Sequence, residues 1–439
     1  MVAPFTAEST RNYKKDPTLN TLLPLIAIPS LGGTPGEVSA QEFMAQSLKD
    51  LDLEVHTWEI NIDQLSRQPD FPGMEVPRTR ALGVLGIWRG SGDLPALMIN
   101  GHTDVVPPGD LDSWDRDPFD PHVATRDLTD HVVIGRGACD MKGGLASALT
   151  ALRTLKASGF TPRGDILFAP VVGEEDGGLG TYALIREGLP TFYGDFNGDF
   201  NGDAPIAGAV IPEPTSLAII PANAGALTFR VLVRGSATHA SRRSEGISAI
   251  EKFFPILNSL RELESQRNEN PDPLMARWDI AYPLSIGTVH SGDWASTVPD
   301  LLIAEGRYGV ALGEDVLSAK LTLESAVAAA CNSDPWLREH PVEVQWWGGQ
   351  FASGRTDPNA DIVRNAKAAH TCVLGHEPDT YAAPYGSDLR LLTGLASIPT
   401  IQYGPGDASV AHAPNEYVSI EQLHVTSRVI ASLIERTLG

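Results

Sequence analysis

The sequence predicts an α/β protein, with a mixed, largely parallel sheet flanked by helices and interrupted by an inserted α+β domain. Three observations carry this. In the first half, short apolar runs rich in strand-forming residues alternate with helical patterns. After Pro221 the pattern becomes two-residue alternation, with Leu227, Phe229, Val231 and Val233 apolar among Thr228, Arg230 and Arg234, as in a strand with one buried face. From Asp357 the alternation of helix and strand returns. At 439 residues the chain is too long for one ordinary core. The simplest topology is a domain of residues 1–222 and 351–439 that carries residues 223–350 as an insertion.

Along the chain, Ser39-Ala-Gln-Glu42 reads as a capping box opening a helix through Leu51. Ala96 to Asn100 and Val132 to Ile134 read as buried strands. Met141, Leu145, Ala148, Leu149, Leu152 and Leu155 share one helical face that stops at Gly159. A strand from Asp165 to Val172, a short helix near Thr181 to Glu187 and a strand from Ala207 to Ile211 follow. The insertion contributes a helix from about Ser248 to Leu263 and strands near 284 to 289 and 301 to 310. Ile401 to Tyr403 and a closing helix at about Ile420 to Arg436 complete the reading. Asp195-Phe-Asn197-Gly-Asp199 begins like a calcium loop. The glycine required at the sixth position is replaced by Phe200, or by Ala204 in the frame from Asp199, so a solvated surface loop is the reading.

Composition narrows the function. Acidic residues outnumber basic ones 55 to 33, a net charge of −22, and no basic block could follow a phosphate backbone, so nucleic acid and anionic membrane are excluded as partners. No apolar run is long enough to cross a bilayer and residues 1 to 20 lack an apolar leader core, so a cytoplasmic protein is expected. Cys139, Cys331 and Cys372 are odd in number and form no CxxC, so any metal would use histidine and carboxylate.

Those ligand types cluster at the ends of the expected strands. In Gly101-His102-Thr-Asp104, residues two apart in extended chain point the same way, so a carboxylate can hold one ring nitrogen while the other binds a metal. HxD alone also describes a surface histidine beside a turn acid. Asp140, in Gly135-Arg-Gly-Ala-Cys-Asp-Met-Lys-Gly-Gly144, stands at a strand-to-helix junction where a carboxylate can bridge two cations. Neither GxGxxG nor a Walker sequence is matched there. Glu213 sits between two prolines, a rigid mount, and His412 lies in a non-helical loop. Glu174 and Glu175 are adjacent at a strand end, where neighbours diverge.

In order and spacing, these segments resemble the zinc amidohydrolase and exopeptidase family of acetylornithine deacetylase, succinyl-diaminopimelate desuccinylase, aminoacylase and glutamate carboxypeptidase. The matching stretches are GHTDVVPPGD at 101 to 110, GRGACDMKGG at 135 to 144, GEEDGG at 173 to 178, PEPT at 212 to 215, GSATHAS at 235 to 241 and AHAPNE at 411 to 416. The resemblance implies a catalytic domain with two Zn2+ per chain, Co2+ or Mn2+ being possible substitutes, and an insertion that serves as lid and dimerisation domain. It implies that Asp140 bridges the metals, that His102 and Glu213 complete one site, and that Glu175 and His412 complete the other. Asp104 would orient His102, and the bond after Asp140 would be cis.

By the same resemblance, Glu174 is the general acid and base of amide hydrolysis, acting on a water held by the cations. His239 stabilises the oxyanion, reaching the metals by domain closure or from the other subunit of a homodimer. Arg307 is implied as a carboxylate contact, with a structural ion pair as its other reading, and Gly386-Ser387-Asp388 resembles the loop lining the acyl pocket. Trp346 and Trp347 read as core or interface residues. The implied substrate is an N-acylated amino acid or a small peptide. An exopeptidase on the same site and a non-catalytic metal-binding module are the alternatives, the latter disfavoured by retention of Glu174. Two departures from the family pattern lie on the substrate side: Ser296-Thr-Val-Pro299 replaces Asn-Val-Val-Pro, and the strand with Arg307 ends Arg-Tyr-Gly rather than in a proline turn.

Overall fold

A computed structural model describes residues 6–7, 15–126, 130–194 and 206–439. The calcium-loop stretch from Asp195 lies outside the described residues. The chain divides into two compact units, the first made of residues 1–222, 355–381 and 388–439, the second of residues 223–354 and 382–387.

The first unit is built on a six-stranded sheet, in the spatial order Thr400–Gln402, Ile206–Ile211, Ala96–His102, Ile166–Val171, Leu82–Trp88, Glu54–Glu59. The first four strands are mutually parallel and the last two run antiparallel to their neighbours. Strands of such a sheet are buried on both faces, so they read as continuous apolar runs. Leu97 and Ile99 face a core shared with helices Pro35–Lys49, Gly143–Ala157, Asp361–Leu374 and Ile420–Leu438, while Ala96 and Met98 face the helical stretch from Leu179 to Phe192 and helix Leu389–Leu395. A smaller antiparallel sheet holds His122–Arg126 and Asp130–Ile134 beside Tyr417–Ser419.

The strand read from Val132 to Ile134 therefore belongs to this second sheet. The helix expected at Ser39 starts earlier, with Thr34 as N-cap and Pro35 at the first helical position. A proline there fits the first turn, whose N–H has no helical partner, and Ser39 instead donates back to the Pro35 carbonyl from within the helix. Met141 precedes helix Gly143–Ala157, and the Asp140–Met141 peptide bond is cis. Gly144 sits where a Cβ would be 1.8 Å from the Pro212 carbonyl oxygen, so this helix approaches the end of strand Ile206–Ile211 as only glycine permits.

The second unit is an antiparallel sheet, ordered Leu284–Ser291, Leu301–Val310, Gly225–Arg234, Glu343–Phe351, with helices Ala249–Arg267 and Val316–Ser333 packed on one face. Leu227, Phe229, Val231, Val233, Leu302, Ala304 and Tyr308 fill the core under those helices. Trp346 packs against that core and donates to Glu324, whereas Trp347 lies under the Arg230 guanidinium. Ala382–Ser387, which the sequence reading put with the first domain, belongs here because Ala382 bonds to Leu274 and Trp278 and Ala383 accepts from Ala224.

Candidate active site

Parallel strands deliver the loops after them to one edge of the sheet, where such folds form their ligand crevice. His102 is the last residue of its strand, in register with Val171 of the next. Glu174 and Glu175 follow Val171, Glu213 follows Ile211, and His412 is carried by the loop after Gln402. Asp140 comes from the turn between the smaller sheet and helix Gly143–Ala157.

These residues form two trios. His102, Asp140 and Glu213 offer ligand atoms within 4.8 Å of one another, as do Asp140, Glu175 and His412. His102 Nε2 is 3.1 Å from Asp140 Oδ1 and 3.9 Å from Glu213, while His412 Nε2 is 3.4 Å from Asp140 Oδ2 and 3.1 Å from Glu175. Asp140 thus presents one oxygen to each trio. Two imidazoles and three carboxylates gathered this closely suit divalent zinc, manganese or cobalt. His102 fits such a role because its Nδ1 is 2.9 Å from the Asp104 backbone carbonyl, which selects the tautomer leaving Nε2 free to ligate.

The charge balance supports the fit. Burial works against the imidazolium of His102, but the carboxylates of Asp140, Glu213 and Asp104 hold it well above its usual range. His412, half-exposed, is pushed up to about 10 by hydrogen bonds to Asp140 and Glu175. Burial pushes Glu213 well above, and Glu175 above, the ordinary carboxylate range, and like charges nearby add to it. Burial would also raise Asp140, yet hydrogen bonds from both histidines hold it below.

Glu174 belongs to neither trio. It is buried, and desolvation together with Asp388, Glu213 and Glu175 pushes it well above the carboxylate range against the pull of His102. Such surroundings raise a carboxyl's hold on its proton, as suits a group that exchanges one during reaction.

Asp104, expected to orient His102, contacts it mainly through its backbone carbonyl. Its carboxylate is 3.8 Å from His102 Nδ1 and instead accepts from the backbone N–H groups of Glu174 and Glu175, at 3.4 and 3.2 Å. It holds the histidine through its main chain and the glutamates through its side chain.

Glu416 was not singled out by sequence reasoning, although it closes the quoted AHAPNE stretch. Fully buried, it accepts from the backbone N–H groups of Cys139 and Asp140 at 2.8 and 3.0 Å and pairs with buried Arg136. Arg136 also donates to the His412 carbonyl, so one ion pair joins the loops of Asp140 and His412. Lys142 is another: its buried ammonium donates to the Leu25 and Ile28 carbonyls at the end of helix Pro17–Ile26, and burial lowers it to about 7.

The remaining candidates lie in the second unit. His239 is exposed, with Nδ1 bonded to Ser241. Arg307 is exposed, has no carboxylate partner among the described residues, and its guanidinium lies over the Phe351 ring at 5.6 Å. Gly386 packs on that same ring, a Cβ there coming within 2.7 Å, and the adjacent Ser387 is buried against Asn223. Arg307 and Gly386 thereby meet at Phe351.

Comparison with known proteins identifies the family. The chain is 28% identical over 433 residues to the N-formyl-4-amino-5-aminomethyl-2-methylpyrimidine deformylase of Bacillus subtilis, covering 90% of this chain and 88% of that one. It is 27% identical over 387 residues to a succinyl-diaminopimelate desuccinylase of Nitrosospira multiformis, covering 87% and 92%. Its fold matches the di-peptidase Dug1p of Saccharomyces cerevisiae with a TM-score of 0.74 at 16% identity, over 97% and 96% of the two chains. The sequence profile of Peptidase family M20/M25/M40 spans residues 98–436. The chain belongs to that family and is a metal-dependent hydrolase of amide bonds.

Proposed function

We propose that the protein is a dinuclear zinc deacylase, splitting the acyl group from the nitrogen of an N-acylated amino acid or related small linear amide. The observation that carries this reading is the division of labour between Glu174 and Glu175: one points into a ligand trio, the other is buried beside both trios without joining either. His102, Asp140, Glu213, Glu175 and His412 would hold the two cations. Bound there, the pair supplies Lewis acidity toward a carbonyl oxygen and acidifies water. Glu174 takes the proton of the attacking water and delivers it to the leaving amine nitrogen. His239 donates to the carbonyl oxygen as it gains charge.

Deacylation is supported by the names of two relatives, a deformylase and a desuccinylase. Arg307, without a carboxylate partner among the described residues, suits a substrate carboxylate. That contact serves an N-acyl amino acid and equally the C-terminus of a peptide, so a dinuclear exopeptidase is the second reading. His239 lies outside the metal-bearing unit, which favours a homodimer in which it is contributed across subunits. Three free cysteines, two of them buried, suit a cytoplasmic setting. Among the described residues no helix is long and apolar enough to cross a membrane.

Glu174→Gln tests the assignment. The variant should keep two metals per chain and lose roughly 10²- to 10⁴-fold in kcat, the usual share of a general acid–base group. Full turnover in the metal-loaded variant would remove the mechanism.

A further inference from the structure

We propose that Arg78 is a positioning residue for the Glu174–Glu175 loop, acting through Asp176; this rests on the reading of Glu174 as the proton-transferring group. The loop contains Gly173, Gly177 and Gly178, with Gly173 and Gly178 at φ of +67° and +91°. Glycine is the most permissive residue, so such a loop does not hold one shape by itself. Asp104 grips it from one side through the Glu174 and Glu175 N–H groups.

The segment from Gly73 to Arg78 grips it from the other side. Gly177 lies so close to the Gly73 carbonyl that a Cβ would be 2.2 Å from its oxygen. Asp176 Oδ2 accepts from Glu75 N at 3.1 Å, Val76 N at 2.8 Å and Arg78 Nη1 at 2.8 Å. The same guanidinium reaches Glu37 on helix Pro35–Lys49, with Nε at 3.0 Å and Nη2 at 2.9 Å, and Glu37 in turn accepts from Gly33 N at 2.7 Å. It also lies against Gly173, where a Cβ would be 3.1 Å from Nη2. The Arg78 side chain is wholly buried. Burial works against its charge, but hydrogen bonds to Asp176 and Glu37 hold it firmly protonated.

Stability alone does not account for this chain of charges. A buried ion network contributes little net stability over apolar residues of the same shape. What it does supply is direction, because the planar guanidinium fixes two carboxylates at set angles. The carboxylate beside the catalytic pair is thus tied to a rigid helix. Loosening it would shift Glu174, and a misplacement of about 1 Å costs on the order of 10²-fold in rate.

The test uses Arg78→Met, Arg78→Lys and Asp176→Asn in full-length, metal-quantified enzyme, with hydrogen exchange of the peptide spanning residues 172–180 as a readout independent of turnover. Arg78→Met should lose roughly 10- to 100-fold in kcat with KM changed less than about threefold, consistent with mispositioning rather than lost binding. Its metal content should be retained and exchange in the loop accelerated, with helix Gly143–Ala157 unchanged. Arg78→Lys should recover part of the rate, because one ammonium keeps the charge but not the fork, and Asp176→Asn should reproduce the kcat loss. If Arg78→Met does not fold, Asp176→Asn decides by the same readouts. Wild-type kcat in a folded, metal-loaded variant with only a lower melting temperature overturns the proposal, as does unchanged loop exchange. If wild-type enzyme hydrolyses no amide while loop exchange still accelerates in the variants, the assigned reaction fails and the positioning stands.

Discussion

At the residue scale, each ligand type does what its chemistry allows. The site collects histidines and carboxylates whose protonation in the metal-free protein opposes ligation. His412, held up to about 10, carries a proton at neutral pH, and Glu213 and Glu175 are raised by burial. A cation must displace the His412 proton, so binding releases protons and apparent affinity rises with pH and falls in acid. The His412 contacts stabilise the metal-free fold below the ordinary histidine range, and this is lost as pH rises through about 10. Titration calorimetry in two buffers of different ionisation enthalpy at about pH 7 should show at least about one proton released per metal; none would contradict the account. Glu416→Gln leaves Arg136 buried without its counter-charge and should cost about 3–5 kcal/mol of stability, readable as a lower denaturant midpoint, with metal affinity weaker by about 10- to 100-fold.

His102, Asp140, Glu175, Glu213 and His412, which the fold brings together, could be picked out in the sequence because each sits in a short motif beside glycine, proline or an apolar run. Asp104 meets His102 through its carbonyl rather than chiefly its carboxylate, since an HxD spacing shows that two side chains share a side and not which atom of the acid meets the ring. Glu37 and Arg78 were illegible: no local pattern marks them, they are far in sequence from Asp176 of the GEEDGG stretch, and only the fold makes the three neighbours.

At the element scale, strands buried on both faces gave continuous apolar runs that located them well, and the one-sided strand Gly225–Arg234 marked the change of unit. Helix starts were less legible. Ser39-Ala-Gln-Glu42 has the capping-box pattern, yet Pro35 begins the helix because its missing N–H costs nothing in the first turn. The close approach of helix Gly143–Ala157 to Pro212 places Asp140 beside Glu213. Gly144→Ala would push a methyl into the Pro212 carbonyl and separate these ligands. The variant should lose metal at the trio of His102, Asp140 and Glu213 and melt earlier, by the roughly 1–3 kcal/mol typical of overpacking. Unchanged metal stoichiometry and stability would show that the contact is relaxed at no cost.

At the scale of the whole molecule, the metal-bearing unit and the unit carrying His239 and Arg307 are separate compact bodies, so the proposed chemistry requires both. If His239 of the partner subunit completes each site, His239→Ala and Glu174→Gln should each be inactive alone. After subunit exchange, activity should return to about a quarter of wild type, because half of the dimers are mixed and each of those holds one complete site. No recovery from an exchanged mixture would place His239 in its own chain's site.

The central claim is amide hydrolysis by a cation pair with Glu174 as its acid and base. It is tested most directly by assaying metal-quantified protein against N-formyl, N-acetyl, N-succinyl and longer N-acyl amino acids and against dipeptides, before and after chelation. The account predicts turnover of an N-acyl amino acid that chelation abolishes and zinc, cobalt or manganese restores, with two metals bound per chain. Activity that survives complete metal removal would contradict it, and turnover confined to dipeptides would replace the deacylase with the exopeptidase.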